Sequence, residues 1–342
     1  MHLNAKIRPG FGLRNLILSI LICGGFYALM KIFMLPGVYI ITPFYLVVLQ
    51  KIFIDAMLGL GLNLITGITG QFSLGHAGFM AIGAYTAALM TRILPINIAT
   101  VFLICIIAMV AGGLAGFLIG IPTLRLKGDY LAIATLGFAE IIRLTIQNVD
   151  QSFLGGASGL SALPRYTNFE WSFFGLVFCY FICRNFINSS YGRACISVRE
   201  DEVAAEAMGI PLMRTKIMAF ILGTMLAGFA GALYMGNVGY IAPKDFAFMK
   251  SIEILIIVVI GGLGSIRGTL VGAVLLNIVS VLLQDFAELR MVFYALVLII
   301  FMLFKSGETP FFVKCQSLLR QMIAVIRQIL DNISNSIKAI KS

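Results

Sequence analysis

Apolar residues run through this chain in blocks about as long as a bilayer crossing, parted by short connectors in which polar residues collect. At about 20 residues per helical crossing, ten spans fit: about 16–34, 46–65, 72–91, 97–120, 129–148, 171–188, 213–235, 250–263, 269–284 and 289–305. The pattern predicts an all-α polytopic membrane protein with about ten transmembrane helices. Its least regular joint is 36–50, "PGVYIITPFYLVVLQ", which reads as an outer extended or re-entrant segment or as the start of a long tilted helix. Lys51 argues against placing that point at mid-membrane, and eight to ten spans satisfy the pattern.

Small residues cluster inside these blocks. The run "GLGLNLITGITGQFSLGHAGFMAIGAYTAA" from Gly59 is the densest, followed by "MVAGGLAGFLIG" from Met109, "MLAGFAGALYMG" from Met225 and "VIGGLGSIRGTLVGA" from Val259. Lipid supplies no hydrophobic drive between helices, so close packing depends on small faces that let backbones approach. Four such blocks predict a compact multi-helix body. Two of them, around 59–84 and 259–273, are also broken by glycine and polar residues, which a membrane protein tolerates only where backbone faces protein or a cavity. Their places in opposite parts of the chain suggest pseudo-repeated halves with Gly-interrupted short segments.

Composition sharpens this picture. Of 342 residues, 60% are apolar and 12% charged, and mean hydropathy is +1.00. A soluble surface normally draws on about 25% charged residues. The formal charge of +10 would suggest nucleic acid in a soluble protein, but here the basic residues sit in connectors and at the chain ends. With the N-terminus inside, one face collects Lys6, Arg8, Arg14, Arg125, Lys127, Arg184, Arg193, Arg199, Arg214, Lys216, Arg267 and the basic residues from Lys305 to Lys341. Both termini are then cytoplasmic. The start "MHLNAKIRPGFGLR" is followed by a hydrophobic block with no small-residue cleavage site, so it reads as leading into a retained first helix. The organisation expected is a cytoplasmic segment 1–15, a transmembrane domain 16–305 with a cytoplasmic loop 189–212, and a cytoplasmic tail 306–342.

Candidate chemistry is sparse. Cys179, Cys183 and Cys195 lack the further ligands that structural zinc needs, and they read as buried thiols. No G-x-x-x-x-G-K-[ST], G-x-S-x-G or H-E-x-x-H occurs, so the chain carries no phosphate cradle and no recognisable catalytic constellation. It is expected to bind no cofactor or metal and not to be an enzyme.

Polar residues within or beside spans are the candidates for a translocation path or for helix packing: Gln71, Ser73 and His76 at a turn, Glu140 and Arg143 in the fifth span, Glu253 in the eighth, and Gly261 and Gly262. Glu140 and Arg143 also fit a mutual i,i+3 pair. His76 has no neighbouring carboxylate for a proton relay and reads better as a packing or hydrogen-bonding residue. The connector Asp150 to Trp171 has turn-forming glycines and Pro164, with Tyr166 and Trp171 suited to an interface. It fits a gate, a docking loop or a plain connector.

The most polar internal stretch is "REDEVAAEAMGIP", Arg199 to Pro211. Its helix formers predict one short helix over 199–207, ended by Gly209 and Pro211. Glu200, Asp201 and Glu202 suit the positive end of a helix dipole, while Val203, Ala207 and Met208 offer a small apolar side with Glu206 on its flank. Such a helix can seat in a groove of another protein, and it equally fits an ordinary cytoplasmic loop that happens to be helical. In the tail, Leu319, Ile323, Ile326, Leu330, Ile333, Ile337 and Ile340 recur at helical spacing among basic residues, predicting an amphipathic helix for the membrane surface or a partner.

The runs "GLNLITGITGQFSLGHAGFMAIGAYTAAL", "RLKGDYLAIATLGFAEIIRL", "GRACISVREDEVAAEAMGI", "KIMAFILGTMLAGFAGALY" and "IEILIIVVIGGLGSIRGTLVGA", in this order over roughly 55–305, resemble the LivM-type permeases of bacterial branched-chain amino acid ABC importers. The resemblance implies an inner-membrane subunit that pairs with a LivH-type permease, two cytoplasmic ATPases that bind ATP and Mg, and a periplasmic amino-acid-binding protein. It also implies that residues 200–211 form the coupling helix seated on an ATPase, with Glu200, Glu202, Ala205, Glu206, Ala207 and Gly209 as coupling residues. The outer connector departs from the family pattern, with Leu154, Gly155, Gly156, Ser158 and Gly159 where a Thr-Gly-Gly then Asn-Gly motif is usual. A related importer of another small solute such as urea or a different amino acid stays open, as do an ion-coupled secondary carrier and a structural scaffold.

Overall fold

A computed structural model describes residues 43–126 and 128–283, together with Val292 and Leu296. Beyond those two positions, the spans expected at 16–34 and 289–305, the segment 1–15 and the tail 306–342 lie outside the described residues.

The described chain is helical. In order it forms α1 (Pro43–Leu62), a π-helical continuation (Asn63–Ile68), α2 (His76–Ile93), α3 (Ile98–Thr123), α4 (Asp129–Asn148), the single turn α5 (Gln151–Leu154), α6 (Phe169–Asn188), α7 (Ser190–Glu200), α8 (Glu202–Ala207), α9 (Leu212–Val238), α10 (Phe248–Gly261) and α11 (Ile266–Leu282). Among the described residues three stretches are long and apolar enough to cross a membrane: Phe44–Ile68, Ile98–Thr123 and Leu212–Val238. This is an all-α membrane protein.

The part of the 36–50 joint that is described is helix, because Pro43 stands at the first position of α1, where its missing N–H costs nothing. The third predicted span begins four residues late: Gly70 to Gly75 is not helical, and α2 starts only at His76. The break leaves a non-helical strand of chain between two apolar helices, as the glycine and polar interruption there implied.

The longest helix among the described residues, α9, is the hub and packs against α3, α2 and α1. Gly228 shows why. A Cβ there would stand 2.4 Å from the carbonyl oxygen of Ala108 on α3, and a Cβ on Gly83 of α2 would stand 2.1 Å from the carbonyl oxygen of Gly228. Three backbones meet at that level, which only glycine permits, and no hydrophobic drive from lipid is needed to hold them. Away from α9 the surface is greasy: Phe102, Leu114 and Leu118 on α3 and Ile133 and Ile141 on α4 are exposed, as suits contact with lipid or another membrane subunit.

The connector 150–171 is tied down. Leu160 and Ile241 exchange backbone hydrogen bonds of 2.8 and 3.0 Å, Tyr240 Oη donates to Ser158 O at 3.0 Å, and Arg165 Nε donates to Val238 O at 3.1 Å. Tyr166 is buried within the chain, with its hydroxyl donating to Ala232 O at 2.7 Å. Burying the ring requires a partner for the phenol, and the carbonyl on α9 supplies one.

Candidate functional site

Two regions gather the polar residues: a ledge formed by α7 and α8, and the interior around the break before α2.

The ledge is two helices where the sequence suggested one. Asp201 takes extended dihedrals and its Oδ1 accepts from the N–H groups of Val203 (2.8 Å) and Ala204 (3.0 Å), so it caps α8 and ends α7 at Glu200. An aspartate that can satisfy two orphan N–H groups competes well against continuing the first helix. At the other end Gly209 adopts φ +81°, Gly209 N donates to Glu206 O (2.9 Å) and Ile210 N to Ala205 O (3.0 Å), closing the helix with a left-handed residue. Glu202 reaches across to α9, where Lys216 Nζ donates to its Oε1 at 2.6 Å.

The candidate coupling residues therefore divide. Glu200 pairs with Arg199, Glu202 with Lys216, and Ala205 is buried against the chain's own body at 4% exposure. Glu206, Ala207 and Gly209 are exposed, beside Val203 (77%) and Met208 (83%). The apolar side expected from the sequence is present and uncovered among the described residues. Beneath α7, Cys195 and Val198 are buried and Cys195 Sγ lies 3.9 Å from Thr215 O.

In the interior, Gln71, Ser73 and His76 are all buried. The break they occupy is stitched to distant helices: Leu74 N donates to Thr135 Oγ1 on α4 (3.1 Å), and Ala77 N donates to Ser251 Oγ on α10 (3.2 Å). Gly75 N turns back on Ser73 Oγ at 3.4 Å. Among the described residues neither side-chain amide atom of Gln71 has a hydrogen-bond partner. An unpaired buried amide costs about 1–3 kcal/mol. The His76 ring sits against Gly61, whose Cβ would stand 3.1 Å from Nε2, with the backbone of Leu58 as a polar neighbour. Like the Gln71 amide, neither ring nitrogen of His76 has a hydrogen-bond partner among the described residues.

Glu140 and Arg143 form the i,i+3 pair their spacing suggested, with Arg143 Nε donating to Glu140 Oε1 at 2.8 Å and Nη1 to Gln147 Oε1 at 3.0 Å. Gly261 faces Gly268 so closely that a Cβ would lie 2.4 Å from the latter's carbonyl, which assigns it to packing of the α10–α11 hairpin. Gly262 turns that hairpin at φ +88°.

One feature escaped sequence reasoning. Asp55 on α1 is 4% exposed on its side chain and accepts from Lys250 Nζ (2.8 Å) and from Asn277 Nδ2 on α11 (3.1 Å). Glu253, predicted as an intramembrane acid, also takes a bond from Lys250, at 3.3 Å. The signal was available, since a carboxylate in the apolar run 44–68 demands a partner. Among the described residues no group of three or more metal-ligating side chains gathers, and the buried Cys105, Cys179, Cys183 and Cys195 are free thiols.

Comparison with known proteins agrees with this architecture. Residues 44–302 match the family "Branched-chain amino acid transport system / permease component". The high-affinity branched-chain amino acid transport system permease protein LivM of Escherichia coli is 37% identical, over 74% of this chain and 67% of that protein. A probable LivM of Methanocaldococcus jannaschii is 27% identical over 65% of this chain and 67% of that protein, and LivH of Escherichia coli 23% over 74% and 90%. No solved structure matches the chain.

Proposed function

The chain belongs to the branched-chain amino acid transport system permease family, and on that premise we propose how it works as the LivM-type, non-catalytic membrane subunit of an ATP-driven importer of leucine, isoleucine and valine. Its similarity to LivH as well as LivM supports pairing with a second, related permease across a shared path. Two cytoplasmic ATPases and a periplasmic binding protein complete the machine. About ten spans, both termini in the cytoplasm and a cytoplasmic 189–212 loop are the topology that fits, and positively charged connectors support it.

The observation that carries the mechanical reading is the ledge. Val203 and Met208 project outward from a helix capped at both ends and pinned to α9 through the Lys216–Glu202 pair. An exposed apolar knob on a short rigid helix suits a groove in an ATPase subunit, with Glu206 and Ala207 at its margin. ATP binding by the partners would displace α7 and α8, and α6 and α9, joined to them, would tilt. The unpaired amide of Gln71 beside Ser73 supports placing the translocation path at the break before α2, where a zwitterionic solute needs polar groups inside the bundle.

Reconstitution of the full complex in proteoliposomes, with its binding protein, tests this. Leucine uptake is expected to require ATP and to exceed urea uptake by at least about tenfold, a difference of about 1.4 kcal/mol. Uptake that persists without the ATPases, or that favours urea, refutes the assignment.

A further inference from the structure

A coupling helix can act only if its movement reaches the parts of the membrane body that open and close. Arg199, in the last turn of α7, is where that contact is made. Its Nη1 donates to Gly67 O at 2.8 Å, across 132 positions of sequence. Gly67 belongs to the π-helical end of the long α1 stretch, where terminal carbonyls lack partners and the helix dipole is negative. A guanidinium answers both needs, with a directed donor and a permanent positive charge.

The same guanidinium touches the other broken segment. A Cβ on Gly264, in the turn between α10 and α11, would stand 3.0 Å from Arg199 Nη1 and 3.1 Å from Gly67 O. Gly264 N in turn donates to Asn63 Oδ1, the first residue of the π segment, at 2.8 Å. Gly70, where the chain turns towards Gln71, would place a Cβ 2.8 Å from Arg199 Cγ. The arginine is thus clasped between the end of α1, the start of the break before α2 and the α10–α11 turn. Glu200 Oε1 accepts from Arg199 Nε at 3.1 Å and steadies it from the ledge side.

We propose that Arg199 is the transmission residue of this permease, carrying displacement of the α7–α8 ledge simultaneously to the two glycine-interrupted segments that flank the translocation path. The inference rests on the importer reading above and adds to it the residue through which the stroke passes. Arg199 touches neither solute nor nucleotide and acts by position. Movement of α7 pulls on the Gly67 carbonyl and on the Gly264 turn together, so both segments change state in step.

The test uses the complete importer in proteoliposomes, comparing Arg199→Gln and Arg199→Lys with the unsubstituted protein for assembly, ATP hydrolysis and leucine uptake. The readout is leucine transported per ATP hydrolysed, which a purely structural loss of active complexes leaves unchanged. Arg199→Gln is expected to assemble, to hydrolyse ATP and to lower this ratio by about tenfold or more. Arg199→Lys, which retains the charge and a single donor, should fall between the two. An unchanged ratio in Arg199→Gln overturns the proposal. If Arg199→Gln fails to assemble, Arg199→Lys decides alone, and a ratio equal to that of the unsubstituted protein overturns it. Absence of ATP-dependent uptake in the unsubstituted complex would instead overturn the importer reading, so the two failures are told apart.

Discussion

Replacing Asp55 by Asn removes one charge from the buried cluster while keeping the side chain's size, and it leaves Lys250 facing an amide. In the folded protein Lys250 Nζ lies 2.8 Å from Asp55 Oδ1 and 3.3 Å from Glu253 Oε2, with side chains 12%, 4% and 20% exposed. Removing one partner of such a pair strands a charge out of water and costs about 3–5 kcal/mol. Because Glu253 stays within reach of the ammonium, the lower end applies, about 3 kcal/mol or roughly a 150-fold shift in the folding equilibrium. Asn277, which bonds Asp55 Oδ2 at 3.1 Å, retains a partner in the new amide oxygen. The compensating change is Lys250→Met made together with Glu253→Gln, because that carboxylate would otherwise lose its ammonium. The triple variant Asp55→Asn/Lys250→Met/Glu253→Gln is expected to recover to within about 1 kcal/mol of the original, since removing every member of a buried charge cluster is close to neutral. Thermal unfolding of the permease in lipid nanodiscs, run on the single and triple variants, measures the coupling. A single variant as stable as the unsubstituted protein, or a triple variant no better than the single, would refute the view that α1, α10 and α11 are joined by a coupled charge cluster.

Two further outcomes follow from local geometry. Gly228→Val drives a branched side chain into the carbonyl of Ala108 at 2.4 Å, so α3 must move, and a loss of at least about 1–3 kcal/mol is expected in the same unfolding assay. Asp201→Ala removes the acceptor of two N–H groups at the head of α8 and should cost about 1 kcal/mol of local stability; faster amide exchange at Val203 and Ala204, with the membrane body unaffected, is the measurement that checks it.

Much of this protein was legible from local sequence. Lipid imposes one rule on every crossing segment, that backbone polar groups be satisfied within the helix, so apolar block length alone located helices at 98–123, 129–148 and 212–238 within a few residues. Gly209 and Pro211 marked the end of the ledge helix, because left-handed φ and a missing N–H are properties of single residues. The i,i+3 spacing of Glu140 and Arg143 carried their pairing for the same reason.

What composition and spacing could not settle were the choices made between helices. Whether Asp201 continues α7 or caps α8 depends on free energies of similar size, and the helix formers around it argued for continuity. Ala205 looks like Ala207 in sequence, yet only one of them turns inward, because the ledge packs against α9 on a single face. Asp55 meets Lys250 across 195 positions and Arg199 meets Gly67 across 132. A hydropathy pattern reports how far each residue is from water, and says nothing of which buried face touches which. That is decided when close-packed glycine faces bring α1, α2, α3 and α9 together and every stranded charge or carbonyl has to find its partner among the groups this packing delivers.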